Sequence, residues 1–124
     1  QRAGLRCGFL SGRHSEATSR RAEQLEVGFV LQGCTEKLPA FERLLSEACL
    51  SADQVAYVGD DLMDLPLLRR VGFAVAVANA AEEVRRQADY VTVRAGGHGA
   101  VAEVIEYLLK ITGRWEGLTR KYQV

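Results

Sequence analysis

Tyr57-Val58-Gly59-Asp60-Asp61-Leu62-Met63-Asp64-Leu65-Pro66 is the stretch that decides how this chain is read. The run Gln54-Val55-Ala56-Tyr57-Val58 is rich in β-formers and stops abruptly at Gly59-Asp60-Asp61, so a strand is expected to end there. Asp64-Leu65-Pro66 reads as a helix start, with the aspartate as cap and proline in the first turn. Three carboxylates therefore crowd into five positions at a strand-to-helix turn. Carboxylates this close repel one another unless a cation, hydrogen-bond donors or water neutralise them. One reading is a magnesium site in which Asp60 gives an oxygen ligand and Asp64 orients a neighbour. The plainer reading is a polar turn with Asp64 as an ordinary helix cap. Gly59 lets the backbone approach whatever sits at the turn.

Outward from this stretch, short apolar runs alternate with amphipathic segments, and Gly, Asp or Asn bounds each run. That is the pattern of strands alternating with helices in a parallel sheet. Upstream, Arg6 to Leu10 is a strand ending at Ser11-Gly12-Arg13. Ser15 caps a helix running to about Leu25, and Gly28 to Leu31 is a second strand. A helix from about Leu38 to Ala48 places Leu38, Phe41, Leu44, Leu45 and Ala48 on one stripe. Downstream, Phe73 to Val77 and Tyr90 to Val93 are strands, separated by a short helix from Glu82 to Gln87. A closing helix spans Ala100 to Ile111, and the tail from Thr112 to Val124 has no clean periodicity.

Composition narrows the class of protein. At 124 residues and 48% hydrophobic content the chain makes one domain with one core. Sixteen basic residues balance sixteen acidic ones, so no overall field draws the molecule to nucleic acid or to an anionic membrane. Any anion must be held locally. Cys7, Cys34 and Cys49 are odd in number and widely spaced, and with only His14 and His98 they suggest no zinc site. They are expected to be reduced and mostly buried. No apolar run has the length of a membrane span, and Gln1-Arg2-Ala3-Gly4 lacks the order of a signal peptide, so a cytoplasmic address is expected. The chain opens without Met and enters an apolar run by Leu5, from which a preceding segment is expected.

Ligands of parallel α/β sheets sit outside the carboxyl ends of the strands, and Ser11, Lys37 and Asp60 all fall at or just after such ends. Ser11 Oγ and the next backbone N–H groups can converge on one anionic oxygen. Arg13 can add a planar grip on a phosphate or carboxylate. Alone, a Ser-Gly pair after a strand is common turn chemistry. Lys37 stands at a loop-to-helix junction, where it can reach back over the strand ends as a fixed positive charge. A single lysine at a helix start is more often solvated surface. His14, next to Arg13, either lines a substrate pocket or faces water, and water is the favoured reading. His98, in Gly96-Gly97-His98-Gly99-Ala100, either caps the site or belongs to a flexible helix entry. Trp115 and Tyr122 are read as packing residues of this or a neighbouring subunit. No nucleotide-binding loop occurs.

Taken in order, Leu10-Ser11-Gly12-Arg13, Gln32-Gly33 with Lys37-Leu38, and the Tyr57 to Pro66 stretch resemble the haloacid dehalogenase superfamily. More narrowly, the chain resembles its 3-deoxy-D-manno-octulosonate 8-phosphate phosphatases, the branch that also includes the phosphatase-like domain of some acylneuraminate cytidylyltransferases. Val75 to Ala80, Ala88 to Thr92 and Gly96 to Val101 extend the likeness to about residue 110. The resemblance implies an α/β three-layer Rossmann-like fold, with a parallel sheet between helices, and a Mg²⁺-dependent phosphatase of a sugar-acid phosphate. In that role Ser11 would bind the transferring phosphoryl group and Lys37 would stabilise it. Asp60 would ligate the metal, with Asp61 as the second metal-site candidate and Asp64 as a supporting catalytic residue. Gly12 and Arg13 would meet the substrate. It also implies a homotetramer whose subunits help cover one another's sites.

The family attacks phosphorus with an aspartate of an Asp-x-Asp-Gly segment on its first strand, forming an aspartyl-phosphate. Nothing before Ser11 is an aspartate, so the first strand and its nucleophile are expected to lie outside the 124 residues. Ala102 stands where relatives commonly carry arginine, and Glu26 where a glycine usually ends the preceding helix. The rival reading from another class is a non-catalytic assembly domain, favoured by the missing Asp-x-Asp. A response-regulator-like receiver is a third, disfavoured by the lack of an early acidic pair.

Overall fold

A computed structural model describes residues 1–123. Among the described residues every strand pairing is parallel and strands alternate with helices, giving the α/β class the sequence pattern indicates. Strands β1 (Gly8–Leu10) and β2 (Phe29–Leu31) pair with each other, and β3 (Ala56–Gly59), β4 (Phe73–Ala76) and β5 (Tyr90–Val91) pair in that order. The single central sheet expected from the sequence is thus divided into a pair and a triplet, with no ladder between β1 and β3 among the described residues. In a parallel ladder the backbone groups of alternate residues face opposite neighbours. Ser11 N donates to Leu31 O at 2.9 Å, so Gly8 and Leu10 turn their N–H and C=O away from β2. Phe73 N and Val77 N donate to Val55 O and Gly59 O, so Ala56 and Val58 turn theirs away from β4. Both margins are open among the described residues.

The helices are α1 (Glu16–Gln24), α2 (Lys37–Ala48), α3 (Leu65–Leu68), α4 (Glu82–Gln87), α5 (Ala100–Ile111) and α6 (Trp115–Thr119). Ser15 caps α1 by accepting from Thr18 N, and the bounds of α4 and α5 are those read from the sequence. Two helix ends carry side chains in the left-handed region, Glu26 at φ 55° and Cys49 at φ 56°. Val27 N closes onto Ala22 O, and Leu50 N onto Leu45 O, so both are helix stops of the kind glycine usually makes. Strand β3 begins later than the sequence suggests. Residues Ala52–Gln54 form a 3₁₀ turn, because the Gln54 side chain returns to Ser51 N. Gly72, at the entry to β4, donates to Ala52 O and Val55 O, and a Cβ there would stand 2.0 Å from Asp53 O. The tail read as aperiodic forms α6 and a 3₁₀ turn, Arg120–Tyr122, and Lys110 Nζ lies 5.3 Å from the centroid of the Trp115 ring.

The core lies under the triplet. Leu68, Ala74, Ala76, Val77, Ala80, Val84 and Ala100 form its buried cluster, whereas no residue of β1 or β2 is fully buried. The pair is held instead by α2, whose Ala40, Phe41 and Ala48 are buried, and by Arg6, which donates to Ala48 O at 2.7 Å. Helix α5 docks against β5 and the segment that follows it. Tyr107 stacks on Tyr90 with centroids 4.7 Å apart, and Glu103 accepts from Tyr90 Oη, Val93 N and Arg94 N. The cysteines correct an expectation: all three are free and none is fully buried, Cys49 being exposed at the end of α2. No helix among the described residues is long and apolar enough to cross a membrane.

Candidate active site

At the carboxyl ends of β1 and β3, across the gap between their margins, lies a cavity of about 330 Å³. Leu10 and Ser11 line it from β1, Tyr57, Val58 and Gly59 from β3, and Lys37 reaches it from the start of α2. Asp60 and Asp64 complete its polar wall. Three chain segments separated in sequence therefore put a hydroxyl, an ammonium and carboxylates around one cavity.

Asp64 organises the wall. It is 1% exposed, and its two oxygens accept four hydrogen bonds. Lys37 Nζ at 2.5 Å and Tyr57 Oη at 2.6 Å share Oδ1. Asp60 N at 3.0 Å and Asp61 N at 3.2 Å share Oδ2. Burial alone would raise the Asp64 pKa, but the donors, Lys37 first and Tyr57 second, outweigh it and hold the carboxyl below its ordinary value. Asp64 holds the N-cap position of α3 that its place before Leu65-Pro66 suggests, but its side chain makes no cap hydrogen bond there and turns inward instead. Asp61 does the capping: its carboxylate accepts from Leu62 N at 2.7 Å, over a 3₁₀ turn at Leu62–Asp64. The role of Gly59 also becomes concrete. A Cβ on it would lie 2.7 Å from Asp64 Cβ, so what the bare backbone admits is the Asp64 side chain.

Asp60 is the acid that remains at the opening. Partial burial, then the negative charge of Asp64, raise its pKa, and Lys37 pulls the other way. An acid so placed gains from a cation. Hard divalent ions such as Mg²⁺ take one or two carboxylates and complete their shell with phosphate oxygens and water, a donor set that Asp60 and a bound phosphate fit. Asp61 is exposed, faces its own turn and does not line the cavity. No group of three acidic, His or Cys side chains that could hold a metal occurs among the described residues.

On the β1 side, Ser11 Oγ accepts from Arg13 N at 3.2 Å, which leaves the hydroxyl hydrogen to donate into the cavity. Of the backbone N–H groups expected to converge there, that of Ser11 is engaged by Leu31 O and that of Arg13 by Ser11 Oγ. Gly12 N has no hydrogen-bond partner among the described residues. Gly12 packs closely, its Cβ position lying 3.4 Å from Met63 Cε and 3.5 Å from Cys34 O. The Arg13 side chain is exposed and does not line the cavity, and His14 and His98 are exposed as well. The residue that sequence reasoning missed is Tyr57. Its signal was there: it shares a strand face with Gly59, two residues on, the face over which Asp64 folds.

The chain is similar to proteins of known family and structure. The family model described as haloacid dehalogenase-like hydrolase matches residues 10–105. The chain is 41% identical over 119 residues to the 3-deoxy-D-manno-octulosonate 8-phosphate phosphatase KdsC of Escherichia coli, covering 90% of this chain and 63% of that protein. The chain thus spans less than two thirds of that relative's length. The crystal structure of a probable YrbI family phosphatase from Pseudomonas syringae superposes with a TM-score of 0.96 at 41% identity, over 99% of this chain and 70% of that one. The 3-deoxy-D-manno-octulosonate 8-phosphate phosphatase of Moraxella catarrhalis, solved with magnesium, phosphate and the sugar acid, gives 0.94 at 35% identity, over 98% and 70%.

Proposed function

The chain belongs to the haloacid dehalogenase-like hydrolases, and from that premise we propose that it provides the phosphate- and metal-binding half of a Mg²⁺-dependent sugar-acid phosphatase. The substrate is 3-deoxy-D-manno-octulosonate 8-phosphate or a close analogue, the compound named for its relatives. The observation that carries the reading is the meeting of Ser11, Lys37 and Asp60 around one cavity at the strand ends.

In this reading Ser11 Oγ donates to one oxygen of the phosphoryl group, and Lys37 sets a positive charge against the others. Both act on charge that is already positioned and little solvated, as Lys37 is only 12% exposed. Asp64 fixes the ammonium and takes no part in bond making, because all its lone-pair directions are engaged. Asp60 is the metal ligand, and Asp61 supports it by setting the turn. Magnesium, when bound, screens negative charge so that one anion can approach another. Gly12 N–H is free for a substrate oxygen, and Arg13 meets the sugar acid from the rim. No aspartate precedes Asp53, so no residue of β1 can serve as an aspartyl nucleophile. The gap between β1 and β3 opens directly onto the cavity and is where a strand carrying it would pair. A cytoplasmic homotetramer is part of the same proposal.

The test is phosphate release from a panel of sugar-acid phosphates, with and without Mg²⁺, by the chain supplied with an extended peptide ending in Asp-x-Asp-Gly. Asp60→Asn runs in parallel. Equal turnover by both would remove Asp60 from the mechanism. The rival from another class is a non-catalytic assembly domain. Stable oligomers with no turnover, with or without the peptide, would select it.

A further inference from the structure

We infer that Tyr57 is a positioning residue of the phosphate site, acting through Asp64 to keep the Lys37 ammonium directed at the cavity; this rests on the reading of Ser11 and Lys37 as phosphate-holding residues. Tyr57 Oη and Lys37 Nζ donate to the same oxygen, Asp64 Oδ1, at 2.6 and 2.5 Å. The other oxygen is occupied by two backbone N–H groups of the turn. A buried carboxylate left with a single side-chain donor would draw that donor fully onto itself. With the phenol satisfying part of the charge at Oδ1, the ammonium shares the oxygen and keeps its remaining hydrogens for another anion.

Two further observations fit this role. Tyr57 lines the same cavity as Lys37, and its ring packs against the core cluster, so the hydroxyl is held in place by the β3 backbone and by apolar contacts. Burial, and then the bond to Asp64, push its phenol far above the ordinary range, so it remains a neutral donor wherever the protein is folded. Tyr57 touches neither substrate nor metal in this account.

The experiment uses the 124-residue chain labelled with ¹⁵N-lysine, titrated with inorganic phosphate and observed through the Lys37 ammonium resonance, identified by its loss in Lys37→Arg. Tyr57→Phe keeps the ring and removes only the donor. In the parent protein phosphate is expected to shift the resonance. In Tyr57→Phe the resonance is expected to be displaced before phosphate is added, and phosphate affinity to fall about fivefold, the weight of one hydrogen bond. Both are measured where circular dichroism shows each protein fully folded, so lost stability alone moves neither. A parent and variant that share resonance and affinity would overturn the inference while leaving the phosphate site standing. A parent that ignores phosphate would overturn both. Should Tyr57→Phe not fold, 3,5-difluorotyrosine at position 57 keeps the shape and strengthens the donor. It is expected to displace the Lys37 resonance, and an unchanged resonance would then refute the role.

Discussion

Substituting Gly59 by alanine is the smallest change that tests how the site is built. The added Cβ would stand 2.7 Å from Asp64 Cβ and 3.1 Å from its Cγ and Oδ2. Ordinary contact begins at 3.4 Å, so the shortfall is 3.4 − 2.7 = 0.7 Å. Neither partner can yield cheaply, because one is strand backbone and the other is tied by four hydrogen bonds. A shift of that size takes the two Oδ2 bonds, now 3.0 and 3.2 Å, beyond useful length. Overpacking costs about 1–3 kcal/mol, and weakened bonds to a charged group cost about as much again, so about 3 kcal/mol is a fair total. At about 2.1 cal/mol/K per residue the unfolding entropy of this chain is about 0.26 kcal/mol/K, which turns that loss into a drop in Tm of about 11 °C. Calorimetry or thermal circular dichroism measures it. Gly28→Ala is the control, since a Cβ there meets nothing within 4 Å. If Gly59→Ala melts within about 2 °C of Gly28→Ala, the packing of Asp64 against β3 is wrong, and the arrangement of Lys37 with it.

The two acids should act on stability in opposite directions. Asp64 has a lowered pKa in the folded state, so its contribution is present above its unfolded value of about 4 and is lost as pH falls through the folded one. Asp64→Asn should therefore be destabilised at neutral pH and approach the parent in acid, by urea midpoints across the pH range. Asp60 has a raised pKa, so its ionised form costs stability at neutral pH. Asp60→Asn should melt above the parent at pH 7, with the two converging below about pH 4. Mg²⁺ should raise the Tm of the parent and leave Asp60→Asn unmoved. Glu26→Gly and Cys49→Gly each relieve a left-handed side chain at a helix stop and should each add about 1 kcal/mol, or about 4 °C in Tm.

Much of this architecture is written locally. The alternation of apolar runs with amphipathic segments fixed the α/β class, because parallel strands buried on both faces leave continuous hydrophobic runs. Helices α4 and α5 were legible to their ends, from acidic first turns and a glycine entry. The 3₁₀ turn before β3 could have been read as well, since Ser51-Ala52-Asp53-Gln54 is a capping-box sequence. Two things were not local. The inward turn of Asp64 depends on Tyr57 and Lys37, one a strand and the other 27 residues away, and at the sequence level it is indistinguishable from a cap. Helix α6 carries glycine at its centre and only one turn of apolar residues, so propensity argued against it, and packing beneath Lys110 overrides that.

The gap between β1 and β3 also works as a ruler. A segment entering it meets Gly8 and Leu10 on one side and Ala56 and Val58 on the other, so its register is set twice over. Sliding by a single residue would exchange its two faces and point its last side chain away from Lys37. For a strand paired there as proposed, accuracy at the mouth of the cavity would be inherited from the spacing of peptide groups several residues deeper, and a substitution along either margin would misaim chemistry it never touches.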